Sequence, residues 1–225
     1  MVSTAELAQL ALFSRFTAED LQVVVDCMQR RRYAKGEVVF LQGDSGNTLY
    51  VVETGRIKIG LTSPDGKEMI LALLGPSDFF GELAVLDGKP RSANAVAAEP
   101  SQLLLLHRPD FRRDLEARPR MAVELLSVLS ERLRRDTEIV QDAAFLDVPG
   151  RLARVLLQLA SEGEPGDGGT VIRARLTQSE LAAMVGATRE SVNKWLGFYQ
   201  RRGVIRRDGG RITVLRPEGL RQRLY

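Results

Sequence analysis

Residues Thr177 to Gln200, TQSELAAMVGATRESVNKWLGFYQ, carry the clearest structural pattern of the sequence. Thr177 suits the cap of a short helix, because its hydroxyl can accept from the third helical N–H while Glu180 reaches back to the cap. Gly186 then allows a tight turn, and a second helix is predicted from about Thr188 onwards. Two short helices joined by a glycine turn, with polar residues opening the second, predict a helix-turn-helix.

The outward side of the second helix carries side chains that can read base edges. Arg189 can pair with guanine N7 and O6, Glu190 can accept from cytosine N4, and Lys194 can contact guanine or a phosphate. Hydroxyl and amide side chains at the helix starts suit phosphate contacts. The predicted DNA-binding residues are Thr177, Gln178, Thr188, Arg189, Glu190, Ser191, Asn193 and Lys194. By themselves these residues would also fit the solvated face of a helical hairpin.

A predicted β-hairpin follows, with strands at 204–207 and 211–215 around Asp208-Gly209-Gly210. A basic hairpin directly after a helix-turn-helix is typical of a winged helix. Residues 148–225 hold 14 Arg plus Lys against 7 Asp plus Glu, whereas residues 1–147 hold 18 against 22. A basic third attached to a mildly acidic body indicates contact with a polyanion, although a solvated charged surface has the same composition.

Upstream of the basic third, residues 120–145 predict one long helix with two apolar stripes, and Pro119 suits its first turn. One stripe consists of Met121, Leu125 and Val128, which can pack on the preceding strands. The other stripe has the spacing of a heptad repeat. Its members are Ala122, Leu126, Leu129, Leu133, Asp136, Val140 and Ala143. If one stripe packs on its own domain, the other is left to pack on a second copy, which predicts a parallel homodimer. The alternative is a helix buried within its own domain.

The boundaries of this long helix are set by breaks in the pattern. Residues 147–150 (Asp-Val-Pro-Gly) predict a hinge, followed by a helix at 151–161 and a polar loop at 163–169. The first half of the chain predicts two short helices, at 4–13 and 18–29, and then a β-rich domain. Short strands separated by glycine turns are typical of a roll, sandwich or barrel. The predicted strands are 38–41, 49–52, 57–61, 69–73, 94–97 and 102–106.

One segment of the β-rich domain has the chemistry of an anion site. Gly81 allows a ligand to approach the backbone closely, and Arg91 offers a two-pronged donor to a phosphate. Ser92 adds a hydroxyl, and the N–H groups of Ser92 and Ala93 can complete an anion nest. Glu82 would accept from a ribose hydroxyl, so the segment indicates a nucleotide. The alternative is a Glu82–Arg91 ion pair that braces a loop.

Two motifs in this domain resemble the paired signatures of cyclic-nucleotide-binding domains. They are Gly43-Asp44-x-Gly46-x-x-Leu49-Tyr50-Val51-Val52-x-x-Gly55 and Phe80-Gly81-Glu82-x-Ala84-Val85 with Arg91-Ser92-Ala93. With residues 144–148 and 188–192, nearly the whole chain resembles the cAMP receptor protein branch of the CRP/FNR regulators.

The resemblance implies an α+β fold. It has an N-terminal jelly-roll-like β-roll with its helices (1–118), a central dimerisation helix and hinge (119–147), and a C-terminal winged helix-turn-helix (148–225). The ligand-binding residues that it implies are Gly81, Glu82, Leu83, Arg91, Ser92, Ala93, Asp136 and Thr137.

The resemblance also implies a regulator of transcription. The expected protein is cytoplasmic and homodimeric, binds a palindromic operator with cAMP as allosteric ligand, and contacts RNA polymerase near 163–169. Relatives commonly have Thr and then Ser or Asn where this chain has Asp136 and Thr137. Two Asp136 carboxylates at a dimer seam would repel, and a ligand amine could relieve that repulsion. The alternative function is a ligand-independent factor whose roll is structural or binds another small molecule.

Other classes of protein are disfavoured by composition. Cys27 and His107 are the only cysteine and histidine, so we expect no disulfide scaffold, metal, haem or iron–sulfur cluster. We found no nucleophile–base pair or phosphate-binding P-loop, so an enzyme or a regulatory subunit of one is not expected. No apolar run approaches the roughly 18 residues of a membrane span, and residues 1–12 lack a signal-peptide pattern. No membrane partner is therefore expected.

Overall fold

The computed structural model describes residues 4–8, 13 and 16–224. The chain divides into two compact units, Met1–Leu133 and Arg134–Tyr225. The elements that begin in the first unit are α1 (Thr4–Ala8), α2 (Ala18–Cys27), β1 (Gln29–Tyr33), β2 (Val38–Phe40), β3 (Thr48–Thr54), β4 (Ile57–Thr62), β5 (Glu68–Leu74), β6 (Phe79–Phe80), α3 (Glu82–Asp87), β7 (Asn94–Ala97), β8 (Ser101–His107), α4 (Arg108–Ala117) and α5 (Pro119–Phe145). Those of the second unit are α6 (Val148–Ser161), β9 (Glu164–Gly166), β10 (Gly169–Val171), α7 (Gln178–Val185), α8 (Arg189–Arg201), β11 (Ile205–Asp208), β12 (Arg211–Val214) and α9 (Pro217–Arg221).

The first unit is built on two four-stranded antiparallel sheets, β1-β8-β3-β6 and β2-β7-β4-β5. Successive side chains of a strand point to opposite faces, which explains how β3 serves two cores. Tyr50 and Val52 pack among side chains of the second sheet, whereas Leu49 and Val51 pack among side chains of the helices. The apolar run of β8 is buried on both faces for the same reason. This arrangement confirms the predicted β-roll.

The long helix α5 packs on the first unit through the predicted stripe. Met121 and Leu125 are buried in its core, and Val128 is half-buried against the same cluster. Most of the heptad stripe faces solvent in the single chain, with 62% of Leu126 and 67% of Val140 exposed, whereas Leu129 is half-buried against the core of the first unit. A helix that leaves a regular apolar stripe uncovered is typical of one that packs against another copy.

The second unit contains the predicted helix-turn-helix and wing. Thr177 and Glu180 form the capping box of α7, and Gly186 ends it in the left-handed conformation, with φ +64°. The strands β11 and β12 pair through a two-residue turn at Gly209 and Gly210, both at positive φ, as hairpin turns that match strand twist require. The helices and antiparallel sheets of the two units confirm the predicted α+β fold class.

Several predicted boundaries were wrong for local reasons. The second helix ends at Cys27 instead of residue 29, because Gln29–Tyr33 pairs with β8 as a polar edge strand that has no apolar alternation. The loop predicted at 163–169 is the hairpin of β9 and β10. The helix predicted from residue 151 begins at Val148, because the Asp147 side chain caps the Gly150 N–H and proline is tolerated in a first helical turn. Residues 9–12 of the first predicted helix lie outside the described residues.

Tyr199 fixes α8 to the start of α6, since its hydroxyl donates to the Pro149 carbonyl at 2.8 Å. Burial raises the pKa of this phenol from 10.0 to about 12. The folded chain therefore keeps Tyr199 neutral at a pH where the unfolded chain ionises it. We expect a contribution of about 2–3 kcal/mol that is complete below pH 10 and lost as pH rises towards 12.

Tyr199→Phe is expected to lower the free energy of unfolding by about 1–2 kcal/mol near neutral pH, because the buried carbonyl loses its donor. The difference in the free energy of unfolding between wild type and variant should be smaller at about pH 11 than at about pH 8, measured by urea unfolding at both values. A difference that stays constant across that interval would contradict the assigned role.

Among the described residues, no helix has the length and apolar character needed to cross a membrane.

Candidate ligand and DNA-binding sites

Arg91 is the centre of the candidate ligand site. Its backbone is held by the loop before β3, since Gly43 N–H donates to the Arg91 carbonyl at 2.9 Å and Arg91 N–H donates to the Asp44 carbonyl at 2.8 Å. Its side chain is only 4% exposed. Nη1 donates to the Gly81 carbonyl and Nη2 to the Thr48 carbonyl, both at 2.8 Å. The guanidinium therefore fixes the two predicted ligand motifs to each other.

Two aromatic rings that were not predicted as part of the site cover the guanidinium. The Arg91 Cζ lies 4.2 Å from the ring centroid of Phe40 and 5.6 Å from that of Tyr50. Tyr50 stacks on Phe80 with centroids 5.1 Å apart. The alternation of inward and outward side chains along β2 and β3 could have indicated them, because it turns these rings towards the core beside Arg91. Such cation–π contacts stabilise the position of a desolvated cation.

The charge of Arg91 is incompletely balanced within the chain. Its Nε is buried and has no hydrogen-bond partner. Burial lowers the pKa of the guanidinium, although Tyr50, Glu82 and Asp44 act in the opposite direction. Among the described residues, no carboxylate forms an ion pair with Arg91. A buried cation that has carbonyl partners but no counter-ion is costly, and an anionic ligand would remove that cost.

Glu82 is also buried, with 4% exposed, but its partner is Arg132 of α5. Arg132 Nη1 donates to Glu82 Oε1 at 2.8 Å, and Nη2 donates to the Phe79 carbonyl at 2.7 Å. The alternative of a Glu82–Arg91 ion pair is therefore wrong, because each side chain is held by other groups. Arg132 was missed because it lies 50 residues from Glu82, and no local pattern pairs them.

The remaining predicted ligand residues fall into two groups. Gly81 (φ +79°), Leu83, Ser92 and Ala93 lie near Glu82 and Arg91 in the sequence; Ala93 is buried, whereas Leu83 and Ser92 are exposed. Asp136 and Thr137 belong to the second unit, where both are exposed on α5.

Gly46 leaves the space that Arg91 occupies. A Cβ at this position would lie 2.6 Å from the Ala84 Cβ and 2.7 Å from Arg91 Nε. We expect Gly46→Ala to displace the guanidinium and to weaken binding of the predicted ligand, cAMP, at least about tenfold, because an ill-placed donor loses most of a charged hydrogen bond. Calorimetric titration measures the change. Gly75→Ala is the matched control, since Gly75 has open space and no positive φ; equal affinities for both variants would contradict the assignment.

The candidate DNA interface is the exposed start of α8 together with α7. The Thr177 and Thr188 hydroxyls cap the two helices by accepting from the Glu180 and Ser191 N–H groups. The pKa of Glu190 is lowered by its own backbone N–H and by the Thr188 hydroxyl, so this carboxylate is an ionised acceptor near neutral pH. Among the predicted DNA-binding residues, the exposed ones are Thr177, Thr188, Arg189, Glu190, Asn193 and Lys194, and the half-buried ones are Gln178 and Ser191.

A hydrogen-bonded chain of side chains crosses this interface. Arg189 Nε donates to Gln178 Oε1 at 3.4 Å, and Gln178 Nε2 donates to Asn193 Oδ1 at 3.1 Å. Arg207 of β11 donates from Nη1 to the same Asn193 oxygen at 3.2 Å and from Nε to Gln200 Oε1 at 2.7 Å. Gln178, Asn193 and Arg207, with Gln200, line an open cleft of about 420 Å³ between α8 and the wing. Arg207 and Gln200 were missed, because spacing in the sequence does not show where a hairpin folds back.

Known proteins match both units. Residues 30–118 match the cyclic nucleotide-binding domain and residues 150–223 match the Crp-like helix-turn-helix domain. The CRP-like cAMP-activated global transcriptional regulator of Mycobacterium tuberculosis is 37% identical over 218 residues, which cover 96% of this chain and 97% of that protein.

Two solved structures share the fold. Thermus thermophilus Catabolite Activator Protein is 34% identical with a TM-score of 0.55, and the match covers 95% of this chain and 98% of that one. The c-di-GMP responsive global regulator CLP of Xanthomonas campestris is 27% identical with a TM-score of 0.77, over 88% and 99%. Since both halves and the order of the motifs match such relatives along nearly the whole length, the chain belongs to the CRP family of DNA-binding transcription regulators, with a cyclic-nucleotide-binding domain.

Proposed function

We propose that this chain is a homodimeric regulator that binds a palindromic operator in response to cAMP. The observation that carries the proposal is the buried Arg91 guanidinium, which lacks a carboxylate partner among the described residues and lies between the two glycine-containing motifs. A cyclic phosphate supplies the missing negative charge and binds the forked donor of arginine well. The CRP-like relative from Mycobacterium tuberculosis is described as cAMP-activated, which supports the choice of ligand.

The residues around Arg91 fit the rest of such a ligand. Glu82 is a buried acceptor for a ribose hydroxyl, and Arg132 orients its carboxylate. Ser92 is an exposed hydroxyl beside Arg91 in the sequence, and the missing Cβ of Gly81 leaves the space in which Arg91 Nη1 lies. We propose the full ligand set as Gly81, Glu82, Leu83, Arg91, Ser92, Ala93, Asp136 and Thr137.

The proposed dimer forms through the heptad stripe of α5. Leu126 and Val140 are large, apolar and mostly exposed, so pairing with a second copy would bury them. Asp136 lies on the same stripe, so both copies would bring a carboxylate to the dimer axis. We keep the hypothesis that a ligand amine relieves this repulsion and makes the dimer geometry sensitive to the ligand. Asp136→Thr should then change cAMP affinity; unchanged affinity and unchanged DNA binding would refute it.

The proposed DNA contacts place α8 of each copy in a major groove. Two recognition helices about 34 Å apart reach successive grooves of one duplex face. Arg189, Glu190 and Lys194 are the proposed base readers, and the basic charge of residues 148–225 supplies attraction to phosphates. Ligand binding would shift the chain towards the form that meets this spacing, by its difference in affinity for the two forms. RNA polymerase is the proposed further partner, through the β9–β10 hairpin.

Calorimetric titration of the purified chain with cAMP, cGMP and c-di-GMP tests the ligand. We expect saturable binding of cAMP and its loss in Arg91→Ala. Binding of c-di-GMP alone would indicate a c-di-GMP responsive regulator, as the Xanthomonas protein is described. Heat signals no larger than dilution for all three would favour the ligand-independent factor whose roll is structural.

A further inference from the structure

The wing of this chain holds a side chain that no motif of the sequence singled out. Arg207 is half-buried, and its guanidinium bridges two residues of α8, Asn193 and Gln200, at 3.2 Å and 2.7 Å. Its neighbour on β11, Arg206, makes a different contact, from Nη2 to the Asp167 carbonyl at 2.8 Å. Of the two adjacent wing arginines, only Arg207 hydrogen-bonds to the exposed face of the recognition helix.

Arg207 decides which way the Asn193 amide faces. An arginine can only donate, so the atom of Asn193 that faces Arg207 must be the acceptor Oδ1. Gln178 Nε2 donates to the same oxygen at 3.1 Å. The polarity of the Gln178 amide is fixed in the same way, because its Oε1 faces the donor Nε of Arg189 at 3.4 Å. The two arginines at the ends of the chain of bonds therefore give each amide between them a single orientation.

This orientation limits what Asn193 can offer to DNA. A carbonyl oxygen has two lone pairs, and Asn193 Oδ1 uses both to accept hydrogen bonds from Gln178 and Arg207. The side chain is exposed, and its free hydrogen-bonding atom is the donor Nδ2. Asparagine reads adenine only when it accepts from N6 and donates to N7 together. A donor-only asparagine instead matches guanine, whose N7 and O6 are both acceptors.

We propose that Arg207 is a positioning residue for base recognition, which holds Asn193 in a donor-only orientation and so directs it to guanine instead of adenine. This inference rests on the proposal that α8 enters the major groove. It extends the recognition surface from the helix to the wing, because a wing residue then changes specificity without touching a base.

The test is selection of bound duplexes from a random library, with cAMP present, by wild type and four variants. Asn193→Ala identifies the base pair that Asn193 reads, as the one position where preference disappears. We expect wild type to prefer guanine over adenine there by about fivefold or more. Arg207→Ala should reduce that preference to about twofold or less or reverse it. Arg207→Lys keeps a donor and should retain guanine, and Arg206→Ala removes the same charge and should leave the preference unchanged.

Thermal unfolding confirms that each variant is folded. If Arg207→Ala does not fold, Arg207→Met, which removes the donors and keeps the apolar stem, replaces it with the same expected loss of preference. Adenine preferred by wild type, or by Arg207→Lys, would overturn the proposal. It would also be overturned if Arg207→Ala and Arg206→Ala weakened all duplexes alike and each lowered the salt slope by about one, as phosphate contacts do. Wild type that binds no duplex would contradict the proposed function as well as this inference.

Discussion

Arg91→Ala is expected to abolish the enhancement of DNA binding by cAMP. The guanidinium is the buried cation of the site, and a phosphate that loses such a partner remains desolvated and unpaired, which costs about 3–5 kcal/mol. cAMP affinity should therefore fall by at least about 100-fold, measured by calorimetry. The fall in affinity should remove the nucleotide effect in an anisotropy titration of labelled operator DNA.

A control for Arg91→Ala must distinguish loss of a ligand contact from unfolding of the protein. Arg91 also binds the Gly81 and Thr48 carbonyls, so its removal changes the free protein. Arg56→Ala removes another arginine of the first unit, one paired with Glu99 instead of the site, and should keep the full enhancement. cAMP should raise the unfolding temperature of wild type and Arg56→Ala and leave that of Arg91→Ala unchanged. An intact cAMP response in Arg91→Ala would refute the assigned site.

Leu126→Glu is expected to dissociate the dimer. In the single chain 62% of Leu126 is exposed, so the substitution should leave the protomer folded. In the proposed dimer it would place a carboxylate from each copy in an apolar seam, at a cost of several kcal/mol per buried charge. The dimer dissociation constant should rise by at least about 100-fold, measured by sedimentation equilibrium. Operator affinity should fall with it, because each chain then binds one half-site without the effective concentration that linkage supplies.

Ser127→Glu is the matched control for the dimer, since Ser127 is the next residue of α5, exposed, and outside the heptad stripe. It adds the same charge and should leave the dimer intact. Equal sedimentation of Leu126→Glu, Ser127→Glu and wild type would show that the copies do not pair through this stripe.

The parts of the fold that could be predicted are those set by local physics. The capping box at Thr177, the glycine turn at Gly186 and the core-facing stripe of α5 are patterns in which adjacent or regularly spaced residues determine the structure. The edge strand Gln29–Tyr33 was not predictable in this way, because its register comes from pairing with β8. Its own sequence is nearly all polar.

In the candidate sites, too, local motifs indicated the residues but not their partners. Arg91 and Glu82 stood out because their motif surrounds them, although their actual partners are the Gly81 and Thr48 carbonyls and Arg132. Partners contributed by distant elements have no signature in local spacing. The contact of Arg207 with Asn193 likewise exists only after the wing has folded against α8.

A titration of a selected palindromic duplex with the purified chain, with and without cAMP, tests whether ligand and DNA binding are coupled in a dimer. Sedimentation of the complex gives the number of chains per duplex. We predict two chains per duplex and an affinity at least about tenfold higher with cAMP, as coupling between ligand and DNA sites requires. One chain per duplex, or the same affinity with cAMP, cGMP, c-di-GMP and no nucleotide, would contradict a ligand-gated dimer.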